Sequence, residues 1–132
     1  MEICGLNFPD IFFERHYQKR LEEGIIKNKN QYTEIVKATI KNADRYFVVR
    51  QFSDCKDKIV FYFNKWTVWI LMEERRIITA FHLRYENIEE FFEERNIKYG
   101  LSENCEKETY IEVRKNENDK YAKFIRTVQD RC

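Results

Sequence analysis

Three side chains in one short stretch have the types and spacing to act together on a phosphodiester. His16, Lys19 and Arg20 stand at i, i+3 and i+4, so a helix puts them on one face, with Arg15 just beside it. Cations so placed neutralise a phosphate, and an imidazole with an ordinary pKa near 6.5 serves as acid or base. Neighbouring cations lower that pKa and favour the neutral base. Phe13, Tyr17 and Leu21, with Phe12 flanking, form an apolar stripe that points elsewhere and leaves the basic face free for a ligand. The same cluster also fits a solvated helix face paired with Glu22 and Glu23.

Thr79 is a hydroxyl inside an apolar strand, among Ile77, Ile78 and Phe81. Thr is a good strand former in any case, and its hydroxyl is also able to donate to a phosphate oxygen. His82 falls on the opposite face by alternation, and Arg84 shares that face at the strand end. Arg75 and Arg76 sit at a hairpin turn, where they would guide a polyanion. Trp66, Trp69, Tyr62 and Tyr46 read as core and cross-strand packing, and any of them left exposed beside the basic cluster would stack on bases. Three glycines leave no room for a glycine-rich phosphate loop. No C-x-x-C pair, paired His or magnesium-type acidic cluster occurs, so neither a metal nor a cofactor is expected.

The elements that must position these residues follow from periodicity. Pro9-Asp10 opens a helix that runs toward Gly24. A second helix spans about 31–43, with Tyr32, Ile35, Val36, Thr39, Ile40 and Ala43 as its stripe. Strands follow over about 45–52, 58–63, 66–72 and 76–84, joined by loops of two to five residues. Such loops cannot carry parallel crossovers, so the centre is an antiparallel meander. In the last strand, Ile77, Thr79, Phe81 and Leu83 take one face. Asn87 opens a third helix in a capping-box spacing with Glu90. Residues 97–105 read as irregular, Thr109 to Val113 as an edge or extra strand, and about 118–130 as a last helix.

The 132 residues fit one domain with a core that needs no staples. The formal charge of +1 hides an asymmetry. Residues 1–85 carry 15 Lys+Arg against 11 Asp+Glu, and residues 86–132 carry 9 against 12, so a polyanion surface belongs on the first part. No apolar run is long enough to span a bilayer, and the first 15 residues lack signal-peptide order, so no membrane partner is expected. Cys4, Cys55, Cys105 and Cys132 read as reduced thiols of a cytosolic protein, two disulfides being the alternative for a chain secreted without a classical signal.

The run from Arg15 to Ile25, the Gln31-Tyr32 opening of the second helix, and the hairpin leading into Ile77-Ile78-Thr79-Ala80-Phe81 are together similar to a known group. They resemble the barnase–EndoU–colicin–RelE-like metal-independent ribonucleases and toxins, over about residues 10–85. That resemblance implies an α+β fold. Two N-terminal helices would pack on a four- to five-stranded antiparallel sheet, with residues 86–132 adding a helix, a strand and a C-terminal helix to the single domain.

It further implies RNA cleavage by attack of the ribose 2′-OH on the adjacent phosphate, leaving a cyclic phosphate. His16 would match the helical acid or base, Lys19 the cation that stabilises the pentavalent phosphate, and Thr79 the residue that orients a phosphate oxygen. Arg15, Arg20, Arg75, Arg76 and Arg84 would bind substrate. Arg20 stands where relatives often have a second His, and one helical His cannot supply both proton transfers, which leaves His82 or Arg84 for the other. The expectation is a toxin or phage effector acting in the cytoplasm of a bacterial host. Its partners would be RNA, such as tRNA, and a cognate immunity or antitoxin protein. The alternative is a non-catalytic RNA- or protein-binding module on the same fold, such as a phage inhibitor of host defence.

Overall fold

A computed structural model describes all 132 residues. The chain opens with two short strands, β1 (Glu2–Ile3) and β2 (Leu6–Asn7), joined by Cys4-Gly5 with φ of +53° and +73°. Two successive positive φ values make the tight turn that right-twisted strands require. Gly5 suits this positive φ, which side-chain-bearing residues rarely adopt.

Helix α1 (Asp10–Glu22) starts behind Pro9 and stops at Gly24, φ +73°. There Gly24 N–H bonds Leu21 O and Ile25 N–H bonds Arg20 O, a Schellman stop. Helix α2 (Lys29–Asn42) is capped by Asn28, whose Oδ1 accepts from Gln31 N–H at 2.9 Å.

The meander β3 (Arg45–Arg50), β4 (Lys58–Phe63), β5 (Trp66–Leu71) and β6 (Arg76–His82) is antiparallel throughout. Asn64-Lys65 forms its two-residue hairpin turn, again with both φ positive. Helix α3 (Ile88–Glu94), capped by Asn87, then β7 (Lys98–Tyr99), β8 (Thr109–Val113) and α4 (Lys120–Asp130) complete the chain.

The architecture is α+β, with four helices and one sheet of eight strands in the order β1-β2-β6-β5-β4-β3-β8-β7. The sheet is larger than the four or five strands expected. Three of its strands are two residues long, too short to show alternation. It is also mixed, because β2–β6 and β7–β8 pair in parallel. β8 is an interior strand between β3 and β7.

Two apolar clusters flank the sheet. The larger joins the sheet to α1, α2 and α4 through Phe8, Phe13, Tyr32, Ile40, Phe61, Ile77 and Ile125. The smaller lies under α3, where Phe47, Trp69, Phe91 and Phe92 meet. Each fully buried Ile or Phe contributes about 1.5–3 kcal/mol.

Three expectations are corrected. Leu21 is exposed, and Arg20 turns inward in its place, because the last turn of α1 runs beside strand backbone that needs a donor. β6 carries a bulge at Ile78, since Trp69 faces Thr79 while Ile70 faces Ile77. Ile77 therefore joins the larger cluster with Ala80, on the opposite side from Thr79 and Phe81. Finally, all four cysteines are paired, as Cys4–Cys132 and Cys55–Cys105, with Cα separations of 4.5 and 5.7 Å. The reduced-thiol expectation fails because the topology brings distant cysteines to bridging distance, which spacing along the chain does not reveal. No helix is long and apolar enough to cross a membrane.

Candidate active site

β2 reaches β6 only where Asn7 faces Arg76, so Ile77 to His82 have an open edge opposite β5. An open edge presents unpaired backbone groups that must be covered. Helices α1 and α2 cover this one with side chains. Tyr32 Oη donates to Ala80 O at 2.8 Å, and Arg20 Nη1 donates to the same carbonyl at 3.2 Å. His16 hydrogen-bonds the backbone of Ile78. Arg20 is thus a buried structural cation, and its Nε forms an ion pair with Glu23. Glu23 also reaches Arg84, Oε2 to Nη2, at 3.5 Å.

This covering leaves a cleft of about 580 Å³. His16, Lys19, Arg20, Glu23, Thr79, His82 and Arg84 all line it. His16 Nδ1 and Thr79 Oγ1 are 3.3 Å apart. In the tautomer with bare Nδ1, the Thr79 hydroxyl donates to the ring. The His16 pKa is lowered to about 4, first by burial, then by the Lys19 and Arg20 charges and less by Arg15, against the bond to Ile78. The imidazole is therefore neutral at pH 7. His82 packs edge-on to Trp66 at 5.4 Å between centroids, and burial and Lys65 lower its pKa while Glu23 opposes. Thr79 and His82 lie on opposite faces yet line one cleft, because the cleft opens at the strand's edge. Lys19 is exposed and in no ion pair.

Arg15, Arg75 and Arg76 lie outside the cleft. Arg15 and Arg76 both cover Phe12, at 5.8 and 5.4 Å from its centroid, and Arg75 covers Phe124 at 5.4 Å. Arg76 also pairs with Glu74 at 2.8 Å. They pack the start of β6 against α1 and α4, at the other end of the strand from the cleft.

Trp69, read from the sequence as a packing residue, also lines the cleft, and so do residues that the sequence did not mark. These are Gln51, Phe81, Tyr85, Phe91, Arg95 and Glu108. Only Phe81, two residues from Thr79 on one strand face, carried a local signal.

Comparison with known proteins gives one family. Residues 5–123 match the family described as Uncharacterised protein aq_aa01. The chain belongs to that family. No curated protein and no solved structure matches it. The matched span runs from Gly5 to Lys123 and so holds every cleft residue, and the chemistry must be argued from the side chains themselves.

Those side chains divide the work. Lys19 and Arg95 are cations without an ion-pair partner, Arg20 and Arg84 are cations partly compensated by Glu23, and His16–Thr79 is a hydrogen-bonded pair with a neutral imidazole. The group suits an anionic ligand whose reaction needs charge neutralisation and one proton acceptor. No three His, Cys, Asp or Glu side chains gather as a metal ion would require.

Proposed function

We propose that the cleft binds RNA and cleaves it by attack of a ribose 2′-OH on the adjacent phosphate, leaving a cyclic phosphate. The observation that carries this reading is the convergence on one cleft of His16 and Lys19 from α1, Thr79 from β6 and Arg84 from just beyond it, with His16 and Thr79 63 residues apart in the chain. The frame would be that of the barnase–EndoU–colicin–RelE-like group, two N-terminal helices packed on the antiparallel meander.

In this reaction His16, neutral at pH 7, takes the 2′-OH proton. Thr79 orients the ring and then a phosphate oxygen. Lys19 and Arg84 stabilise the charge that builds on the pentavalent phosphorus. Bringing phosphate near His16 raises its pKa, which strengthens the base as substrate arrives. His82, the other imidazole of the cleft, would return the proton to the leaving 5′ oxygen.

A chain with this activity would be a toxin or phage effector kept in check by a cognate immunity or antitoxin protein, acting on RNA in a bacterial cytoplasm. The two disulfides fit a non-reducing compartment better than the cytosol, which favours a route in which the folded protein is made or carried outside it.

Two observations favour the non-catalytic binding module. Glu23 engages both Arg20 and Arg84, and an imidazole with a pKa of about 4 is a weak base. Incubation of the protein with total RNA in EDTA, followed by end-mapping, separates the two. Cleavage is expected, with 2′,3′-cyclic ends, and His16→Ala should slow it by about 100-fold or more. Intact RNA with salt-sensitive binding would establish the module instead. Cleavage unchanged in both His16→Ala and Thr79→Ala would move the site elsewhere.

A further inference from the structure

The cleft has a second half that phosphodiester chemistry does not use. Besides His16 and Lys19 its lining is aromatic. Phe81 stacks on Trp69, with centroids 6.1 Å apart and planes at 27°, and Trp69 is fixed by its Nε1–H donating to Thr67 Oγ1 at 3.2 Å. Phe91 backs Phe81 at 5.6 Å and Tyr85 at 6.1 Å. Trp69 and Phe91 are only 5% exposed, so they are the support. Phe81 and Tyr85 are half-buried and present ring surface to the cleft. Arg95, its guanidinium 5.1 Å from the Phe91 centroid, closes this end with a cation.

The regular stretch of β6 after the bulge at Ile78 sets the geometry. Thr79 and Phe81 lie two residues apart beyond the bulge and share one side of β6 by plain alternation, while the bulge turns Ile77 to the other side, into the larger cluster. Two residues along a strand span about 6.6 Å. That separation is comparable to the distance from a phosphate to its base across one ribose. A phosphate at Thr79 and Lys19 therefore sets a planar ring at Phe81. An apolar planar wall beside a cationic, hydroxyl-bearing one is complementary to a nucleotide rather than to phosphate alone.

We propose that Phe81 and Tyr85 form a base-stacking subsite that takes one unpaired nucleotide, so that the substrate is single-stranded or looped RNA and not duplex. This rests on the reading of the cleft as an RNA site. A base must leave its pair to reach the wall, and A-form duplex hides its base faces in the stack.

Calorimetric titration in EDTA at low salt, with adenosine 5′-monophosphate, ribose 5-phosphate and inorganic phosphate as probes, tests the subsite without any cleavage. The nucleotide should bind about 5- to 150-fold more tightly than ribose 5-phosphate, the range that stacking of one base provides. Phe81→Leu, which keeps apolar volume and removes the ring, should abolish most of that ratio while ribose 5-phosphate binds as before. Tyr85→Leu should do the same in part, and serves if Phe81→Leu does not fold by circular dichroism. Equal affinity for nucleotide and ribose 5-phosphate, or variants that weaken both probes equally, would overturn the subsite. The cleavage assay on total RNA is separate. A base preference without cleavage would leave the subsite standing and remove the nuclease reading, and cleavage without a base preference would do the reverse.

Discussion

His16 is held neutral by burial and by three cations, and this has a consequence for stability. In the unfolded chain the imidazole takes its proton near pH 6.5, whereas in the folded protein it does not until about 4. Between those values the unfolded chain binds more protons, so stability falls as the pH drops from about 6.5 toward 4 and is untouched by this group above 6.5. The ring is partly open to solvent, which screens the effect, so the loss should be held to about 1–2 kcal/mol. Urea unfolding midpoints at pH 7, 5 and 4 should show it, and His16→Gln should flatten the profile over that range. A wild-type profile that His16→Gln leaves unchanged would mean that other groups carry the acid sensitivity. At this scale the sequence was half legible. The spacing of His16, Lys19 and Arg20 put them on one face. It could not show that Arg20 turns inward, because its acceptor is the carbonyl of Ala80, 60 residues away. Nor could it show the contact with Thr79, across 63 residues.

Among the elements, β6 decides the site, and what decides β6 is its open edge. Ala80 O accepts from both Tyr32 and Arg20, so the last turn of α1 and the first turn of α2 are tied to one carbonyl. Tyr32 is fully buried. Tyr32→Phe keeps the ring in the core and removes one donor, leaving the carbonyl with Arg20, and should cost about 0.5–1.5 kcal/mol. Arg20→Met should cost more, because it also strands Glu23 and loosens Arg84. With both donors gone the carbonyl is orphaned, so the double variant should lose more than the sum of the singles, measurable as a coupling in a double-mutant cycle by urea unfolding. Strict additivity would mean that water replaces the donors and the edge is not sealed. The meander was readable because β-branched and aromatic runs alternate with turn residues. β1, β2 and β7 were not, since two residues carry no period. The bulge was invisible too, because Ile77-Ile78 offers two equivalent side chains and only the pairing with β5 selects the extra one.

Across the whole molecule, the basic first part and acidic last part do not separate into two bodies. β8 lies between β3 and β7, and α4 closes the larger cluster with Tyr121, Phe124 and Ile125, so residues beyond 86 complete the frame that holds the cleft. The disulfides follow the same interleaving. Cys4–Cys132 joins residues 128 apart and Cys55–Cys105 joins residues 50 apart. Restricting the unfolded chain over such loops is worth about 4–5 kcal/mol each in the loop-entropy account, and removed native disulfides cost about 2–5 kcal/mol in practice. The two bridges differ in access. Cys4 is 7% exposed within the larger cluster, whereas Cys55 is exposed on a surface loop. Graded dithiothreitol followed by alkylation and mass spectrometry should therefore label Cys55 and Cys105 first, in protein that is still folded. Cys4 and Cys132 should label only as the molecule unfolds. The Cys4→Ser/Cys132→Ser variant should lose Tm by about 8–20 °C, and more than Cys55→Ser/Cys105→Ser, because it opens the longer loop and also removes buried sulfur. Labelling in the opposite order would mean that the two ends of the chain open before the surface loops do, and that the sheet and its two clusters hold together without the link between them.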